Sequence, residues 1–386
     1  MLNDLNNSIP EKITLVHSGK DYFSRLERLI LESKSEIHIQ TYIFDFDATG
    51  QKIVKALKEA ASRNVKIHIL LDGFGSLSFP KEVIDDLSKK GIELRIFSPL
   101  FSADSLYIGR RLHHKITVSD AKIALIGGIN IADKYHGTSD SLPWLDYAIE
   151  INDVNISSSL QELCRDIYFK KRIIRRKKII TFFENSITNC ISILQNDWLK
   201  RKNEIFKSYI NKISLAEKEI VIVSSYFLPG KKLINSLKKA SQKGVQIKLI
   251  LSGISDVPLA RRASCHLYSK LLSYNIEIFE WKKSVLHGKA AVIDSQWTTI
   301  GSFNLNNLSS YASIEMNVGI DSESFATNYL LHLNEIINQC EKITHESFKI
   351  NYNLTSKFTN WFSYWTARII EIMVTYFPQK RFRKLY

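Results

Sequence analysis

Two short stretches of the chain, LHHKITVSDAKIALIGGIN (112–130) and LHGKAAVIDSQWTTIGSFN (286–304), place the same residue types at the same intervals. The first carries His113, Lys115, Asp120, Gly127, Gly128 and Asn130; the second carries His287, Lys289, Asp294, Gly301, Ser302 and Asn304. Side chains alternate faces along an extended strand, so His113 and Lys115 share a face, as do His287 and Lys289. Each strand then presents an imidazole beside an ammonium. The Gly127–Gly128 and Gly301–Ser302 pairs remove bulk, so that a ligand can come close to the backbone. Asn130 and Asn304 add amide donors. Packed about a pseudo-twofold axis, two His, two Lys and two Asn form a donor-rich set that suits a tetrahedral phosphate.

Two histidines acting on one phosphate support in-line displacement without a metal. One attacks phosphorus and becomes a phospho-histidine; the other protonates the leaving oxygen and then deprotonates the incoming nucleophile. Imidazole titrates near neutrality, so opposite protonation states of the pair are accessible. The nucleophilic ring needs a carboxylate on its other nitrogen. Downstream of each motif sits an acid that could serve, Asp146 in PWLDYAIEI and Glu315 in YASIEMNVGI. The plain alternative for each is a solvated acid on an edge strand, and for a lone motif a core histidine.

Repetition of the whole surrounding unit argues against that alternative for the histidines. SEIHIQTYIFD (35–45) has its counterpart in KEIVIVSSYFLP (218–229), each a β-branched run ending in aromatics. GQKIVKALKEAASRNVKIHILLDG (50–73) matches GKKLINSLKKASQKGVQIKLILSG (230–253), an amphipathic helix, a turn and a buried strand. GIELRIF (91–97) matches NIEIFEW (275–281) as a further strand. This alternation predicts an α/β protein built from two duplicated halves, with mixed, largely parallel sheets flanked by helices and an active site at their interface. The halves span 1–168 and 206–350, with a basic linker helix region at 169–205 and an amphipathic tail at 351–386. The first half carries about ten extra residues before its motif, within SPLFSADSLYIGRR (98–111), an apolar and aromatic stretch.

Bulk properties narrow the partner. The 386 residues carry a formal net charge of +14, which implies a polyanion, either nucleic acid or an anionic membrane surface. Cys164, Cys190, Cys265 and Cys340 lie far apart with no CxxC spacing, so neither a disulfide framework nor a zinc site is suggested and a reducing compartment is expected. The N-terminal MLNDLNNSIPEK lacks the basic-then-apolar order of a signal peptide. No uncharged apolar run of about 18 residues is present, so contact with a membrane is expected from one side.

The paired HxK-x4-D-x6-G-[GS]-x-N pattern resembles the phospholipase D superfamily, over residues 12 to 345. Within it, YIFDFDATG, LLDGFGS, RRLHHK, IGGINIADKY, SSYFLPGKKL, GISDVP and LHGKAAVID look most like short bacterial cardiolipin synthases without N-terminal membrane helices. The resemblance implies a catalytic set of His113, His287, Lys115, Lys289, Asp120, Asp294, Asp146 and Glu315, with Asp120 and Asp294 in supporting positions away from phosphorus. It implies phosphate binding by Lys115, Lys289, Asn130, Asn304, Gly128 and Ser302, with His113 as nucleophile and His287 as acid and base. The expected reaction is a metal-independent transfer of phosphatidyl from phosphatidylglycerol to a second phospholipid, which yields cardiolipin. Phospholipase D hydrolysis or phosphatidylserine synthase-like transfer is the alternative. No cofactor and no metal are implied, and one chain carries a complete site. One departure stands out: after GSFN the family usually continues with Asp and Arg-Ser, whereas this chain reads LNNLSS, with Asn306, Asn307 and Leu308. His114, at the variable position, falls on the opposite face from His113 and is expected to pack or to face solvent rather than to act in catalysis.

Three features favour a membrane over nucleic acid. KKRIIRRKK (170–178), with Arg175 and Arg176, packs seven basic side chains into nine positions around two isoleucines. The tail NWFSYWTARIIEIMVTYFPQKRFRKLY, with Trp361 and Trp365, reads as an interfacial helix with a basic end. The apolar insertion at 98–111 would line an acyl-chain entrance, where a nuclease would present Arg and Lys. The expected partner is an anionic phospholipid membrane containing phosphatidylglycerol or phosphatidylethanolamine. The expected place is peripheral, on the cytoplasmic face of a bacterial inner membrane.

Overall fold

The computed structural model describes residues 12–99, 101–102, 105–106, 110–169, 190–197, 202–311, 313–351 and 353–376. The chain divides into two compact units. One comprises residues 1–194 with Ile300–Ser302 and Ile314–Gly319; the other comprises Gln195–Thr299, Phe303–Ser313 and Ile320–Tyr386. The units therefore do not follow chain order. A short piece of the second half, with Glu315, is counted in the first unit.

The first sheet contains β1 (Ile13–His17), β2 (Glu36–Thr41), β3 (Lys66–Asp72), β4 (Glu93–Phe97), β5 (Lys115–Ser119), β6 (Ile123–Gly127) and β7 (Tyr147–Asn152), in the order β1-β7-β6-β5-β2-β3-β4. The second contains β8 (Ile191–Asp197), β9 (Lys202–Asn203), β10 (Glu219–Ser224), β11 (Gln246–Ser252), β12 (Glu277–Trp281), β13 (Lys289–Ile293), β14 (Trp297–Gly301), β15 (Ser313–Asp321) and β16 (Glu341–Ile343), in the order β9-β8-β15-β14-β13-β10-β11-β12-β16. The run β7-β6-β5-β2-β3-β4 has the same order as β15-β14-β13-β10-β11-β12, so the duplication in sequence is a duplication of topology. Residues 191–197, expected within a linker helix, are strand β8. The basic run 170–178 lies outside the described residues.

The sheets hold more antiparallel pairing than the strand–helix–strand alternation implies. Only β2–β3 and β3–β4 are parallel in the first sheet; its other four pairings are antiparallel. Parallel pairing needs a crossover, and helices such as α1 (Ala48–Ser62) supply it. The strands that carry the motif are instead joined by a tight turn. The core of the first unit gathers Ile37, Ile39, Ile67, Ile69 and Leu71 from the parallel strands against Ile53, Val54, Leu57 and Ala60 of α1. Those helical positions recur every three or four residues, which keeps one face of α1 apolar. Asp47 caps the helix by accepting from the Gly50 backbone N–H at 3.0 Å.

The same turn closes both motif hairpins. Asp120 and Ala121 have φ of 52° and 54°, Asp294 and Ser295 have 55° and 52°, and the closing bonds are Lys122 N to Ser119 O at 2.9 Å and Gln296 N to Ile293 O at 3.0 Å. Two central residues with positive φ define a type I′ turn, a position that Asp tolerates. The carboxylate then reaches outside its hairpin. Asp120 accepts from the backbone N–H groups of Lys34, Ser35 and Glu36 at 2.8, 2.8 and 3.0 Å and from the hydroxyls of Ser33 and Ser35. Asp294 accepts from those of Glu217, Lys218 and Glu219 at 2.8, 2.8 and 2.9 Å. Each aspartate thus ties its hairpin to the start of the neighbouring strand, β2 or β10, and sets the register of the residues that carry the motif's His and Lys.

Partial burial pushes the Asp120 carboxyl up, but the N–H donors of Glu36, Lys34 and Ser35 outweigh it and hold the group below the usual carboxylate range. A depressed folded pKa stabilises the fold above the unfolded value of about 3.9, and the gain is lost as pH falls below it. Replacing Asp120→Asn should therefore lower unfolding free energy by about 1–3 kcal/mol at pH 7. It should also flatten the acid limb of stability against pH, both readable by urea denaturation across a pH series. Stability equal to the parent at every pH would contradict the tie.

Candidate active site

In the first unit the motif histidine sits at the end of Arg111–Leu112, a short strand that pairs with β15. The His113 N–H donates to Ile314 O at 3.0 Å, which brings the next side chain of β15, Glu315, beside the ring. His113 Nδ1 lies 2.9 Å from Glu315 Oε2, and the carboxylate is fully buried. The acid that serves His113 is therefore not the one just downstream of its own motif. Sequence distance suggested Asp146, but strand pairing supplied a residue 202 positions away.

Several groups hold the rest of this arrangement. Buried Asp72 accepts from Leu112 N at 2.8 Å, from Phe74 N at 2.8 Å and from Gly75 N at 3.1 Å, which fixes the backbone immediately before His113. The edge of Tyr42 packs on the His113 ring, with centroids 4.9 Å apart. Lys115 is buried, donates to His113 O at 2.6 Å and places its ammonium 5.3 Å over the Tyr42 ring. Burial and the Asp72 charge push the Tyr42 phenol well above its ordinary value, so it stays neutral. Asp72 and Tyr42 were not singled out as site residues from sequence. Tyr42 was visible only as one half of a repeated aromatic pair, and the one signal for Asp72 was an acid ending a buried strand in LLDG.

The second unit repeats part of this pattern. His287 and Lys289 are buried on the same strand face, and Lys289 Nζ donates to His287 Nδ1 at 2.8 Å and to the His287 carbonyl. Tyr226 stands edge-on to His287 with centroids 6.3 Å apart, as Tyr42 does to His113. The Tyr226 hydroxyl donates to Asp256 Oδ1 at 2.7 Å.

The small residues and amides of the motif turn out to be builders. A Cβ on Gly127 would lie 2.4 Å from Tyr147 O, and one on Gly128 2.3 Å from Asp146 Oδ1. The space they leave is filled by β7 and the Asp146 carboxylate, which corrects the expectation that it admits a ligand. Asp146 is fully buried, and its Oδ1 accepts from Tyr147 N at 2.8 Å. At the matching position Ser302 is buried; its hydroxyl donates to Glu315 Oε2 at 2.5 Å and accepts from Met316 N at 3.1 Å. Ser302 therefore holds the acid rather than phosphate. Asn130 accepts from Ile43 N at 3.0 Å and donates to the Tyr135 hydroxyl at 2.8 Å. Asn304 Oδ1 accepts from the Ser225 hydroxyl at 2.9 Å. Both carboxamides thus bind the loop that follows the parallel-strand start of their own half. Asp120 and Asp294 lie at the far ends of β5 and β13 from the histidines, tied to backbone as described. His114 is buried on the opposite face, with Nε2 2.8 Å from Gln40 Oε1.

One cluster escaped the sequence because it crosses strands. Glu36 and His38 alternate on β2, and His68 is the register partner of His38 on β3. Their ligand atoms lie within 4.8 Å of one another. Glu36 is, however, already engaged by Arg165 Nε and Gln161 Nε2, both at 3.0 Å, and by His38 Nε2 at 2.8 Å. A guanidinium on the carboxylate opposes a dication, and burial pushes His38 down to about 4, so the neutral His38 ring and the Arg165–Glu36 pair share one hydrogen-bonded network. On the membrane-facing expectations, Trp361 and Trp365 lie on the C-terminal helix, 47% and 50% exposed. Arg175 and Arg176 fall outside the described residues.

Comparison with known proteins places the chain in a family. Residues 26–163 and 209–337 both match the family model described as cardiolipin synthase, phospholipase D-like domain. Cardiolipin synthase B of Shigella flexneri is 31% identical over 339 residues, covering 86% of this chain and 82% of that protein. Minor cardiolipin synthase ClsB of Bacillus subtilis is 28% identical over 338 residues, covering 87% and 84%. The crystal structure of phosphatidylserine synthase from Haemophilus influenzae superposes with a TM-score of 0.75 at 15% identity, over 95% of both chains, and so shares the fold. With both motif-bearing halves matched, the chain belongs to the cardiolipin synthase family of phospholipase D-like proteins.

Proposed function

We propose that this protein is a phosphatidyltransferase that makes cardiolipin from phosphatidylglycerol and a second phospholipid. The observation that carries the mechanism is the buried Glu315 carboxylate on Nδ1 of His113. A carboxylate there keeps the proton on Nδ1, orients the ring and leaves the Nε2 lone pair for attack. His113 Nε2 attacks the phosphorus of phosphatidylglycerol, the bond from phosphorus to the glycerol oxygen breaks, and His287 gives that oxygen a proton. A hydroxyl of the second phospholipid then attacks the phosphatidyl-histidine while His287 takes its proton, and the N–P bond breaks. Cardiolipin and glycerol leave, and both rings return to their starting states. Lys115 and Lys289 supply positive charge to the phosphate oxygens, the task a metal ion performs in other phosphoryl-transfer sites, so the reaction is assigned as metal-independent.

The partner is assigned as an anionic phospholipid surface, met from one side. Among the described residues no helix is long and apolar enough to cross a membrane. Instead the C-terminal helix, Leu354–Tyr376, is amphipathic in reverse. Its buried positions are the polar Asn360, Ser363 and Glu371, whereas Phe358, Trp361, Phe362, Trp365, Ile369, Ile372 and Met373 are exposed. A helix that turns polar groups inward and aromatics outward has a lipid interface as its natural surroundings. The basic segments 170–178 and 379–384 are proposed to add attraction to anionic headgroups.

The direct test is to incubate the purified protein with phosphatidylglycerol vesicles in chelator and read products by lipid mass spectrometry. Cardiolipin with free glycerol is expected; phosphatidic acid alone would reassign the acceptor to water. His113→Ala and His287→Ala should each abolish turnover with an unchanged circular dichroism spectrum. Glu315→Gln should lower kcat by about 10²–10⁴-fold. Near-parental rates in any of the three would remove that residue from the mechanism. Trp361→Ser with Trp365→Ser should weaken co-sedimentation with phosphatidylglycerol vesicles by at least about tenfold, and undiminished binding would move the lipid contact elsewhere.

A further inference from the structure

The inner face of the C-terminal helix is as specific as its outer face. To follow it, α1 (Ala48–Ser62) is joined by α2 (Pro258–His266), α3 (Asn307–Tyr311) and α4 (Leu354–Tyr376). Helix α4 packs along α2, where the His266 and Tyr364 rings lie 4.7 Å apart. Two turns further on, Glu371 is 3% exposed in a helix whose neighbouring positions are apolar. Its Oε1 accepts from Asn307 N at 3.1 Å and its Oε2 from Asn307 Nδ2 at 3.0 Å. Arg368 donates to Glu371 Oε2 at 2.8 Å and to Pro229 O at 2.5 Å, with its guanidinium 5.1 Å over the Tyr364 ring.

Both grips fall on segments that flank the second motif. Asn307 opens α3, three residues after Asn304, and Asn306 N donates to Asn304 O at 2.8 Å. Pro229 ends the segment that brings the Ser225 hydroxyl to Asn304 and the Tyr226 ring to His287. A bridge between Leu228 and Asn306 joins the two segments. A buried ion pair is an expensive way to hold a helix that apolar contacts could hold, unless its directionality is used.

We infer that the Arg368–Glu371 pair is a positioning device for the second motif: it clamps Asn307 and Pro229 from the inner face of the helix whose outer face meets lipid. Glu371, Arg368 and Asn307 are positioning residues acting through Asn304 and Tyr226. The inference rests on the transferase reading above. Asn307 is the partner that a carboxylate at 371 requires, because an acid at 307 would face Glu371 across the two hydrogen bonds.

That reciprocity supplies the test, made on the full chain. Glu371→Gln should leave Arg368 without its anion, and Asn307→Asp should set two carboxylates together. Each should lower kcat on phosphatidylglycerol by about tenfold or more, with KM and vesicle binding within about twofold of the parent. The double variant N307D/E371Q restores one amide facing one carboxylate and keeps a single anion near Arg368. It should recover kcat to within about threefold, a coupling that independent sites do not show. In parallel, hydrogen exchange of residues 303–311 should rise in both single variants and return in the double one. Parental kcat in the single variants, or a double variant as poor as the worse single, would overturn the clamp. If the parent makes no cardiolipin, the transferase reading fails on its own and hydrogen exchange decides the clamp: unchanged exchange in E371Q overturns it, and a rise reversed in N307D/E371Q sustains it.

Discussion

Register is the constraint from which the site follows. A hairpin strand places its side chains by the identity of its turn, and a slip of one residue would send His113 and Lys115 to the opposite face. Asp120 and Asp294 prevent that slip twice over. Each adopts the left-handed conformation that a type I′ turn needs, and each holds three successive backbone N–H groups of the strand beside it. The interval between the motif's lysine and aspartate is accordingly the length of one strand, Lys115–Ser119 or Lys289–Ile293, plus the first turn residue. The same residues that look like a catalytic signature in one dimension are, at one end, a signature of strand length.

Much of the fold was therefore legible, because register and turn chemistry are local. The duplication, the amphipathic α1 and its counterpart, and the positions of the two hairpins all follow from periodicity and turn residues near one another in the chain. What remained hidden depends on pairing between distant strands. Glu315 reaches His113 only because Arg111–Leu112 runs beside β15, and nothing in the local sequence of either strand announces that neighbour. The Glu36–His38–His68 cluster is hidden for the same reason, since His38 and His68 meet through parallel register rather than spacing. Glycines misled in a different way. Gly127 and Gly128 were read as room for a ligand, and the room exists, but the chain's own β7 and Asp146 fill it.

The C-terminal helix illustrates a further limit of pattern reading. Its composition marks an interfacial segment, yet composition does not say which side faces the protein. A helix docked by its apolar stripe would expose Asn360, Ser363 and Glu371; here those are the buried ones. Burying polar groups costs stability unless they are hydrogen-bonded. The Glu371 carboxylate meets that condition with Asn307 and Arg368, and the apolar stripe is left outward. In water the opposite orientation would bury more apolar surface, and this is what supports the proposed lipid contact of the outer face.

The two motifs also differ where symmetry would make them alike, and the difference bears on which histidine is proposed as the nucleophile. In the first half the residue after the invariant glycine is Gly128, and a side chain there is excluded by Asp146. In the second it is Ser302, whose hydroxyl binds Glu315 Oε2, the same oxygen that faces His113 Nδ1. A carboxylate at that position orients the ring in its Nδ1–H form and would offset the positive charge that grows on it during the proposed attack. His287 has instead Lys289 Nζ at its Nδ1. In the proposed transfer, a histidine that carries cationic character while bonded to phosphorus is better placed against Glu315 than against Lys289. The duplicated halves, alike in topology, thus differ at their histidines, and that difference supports the proposed choice of His113 as the nucleophile.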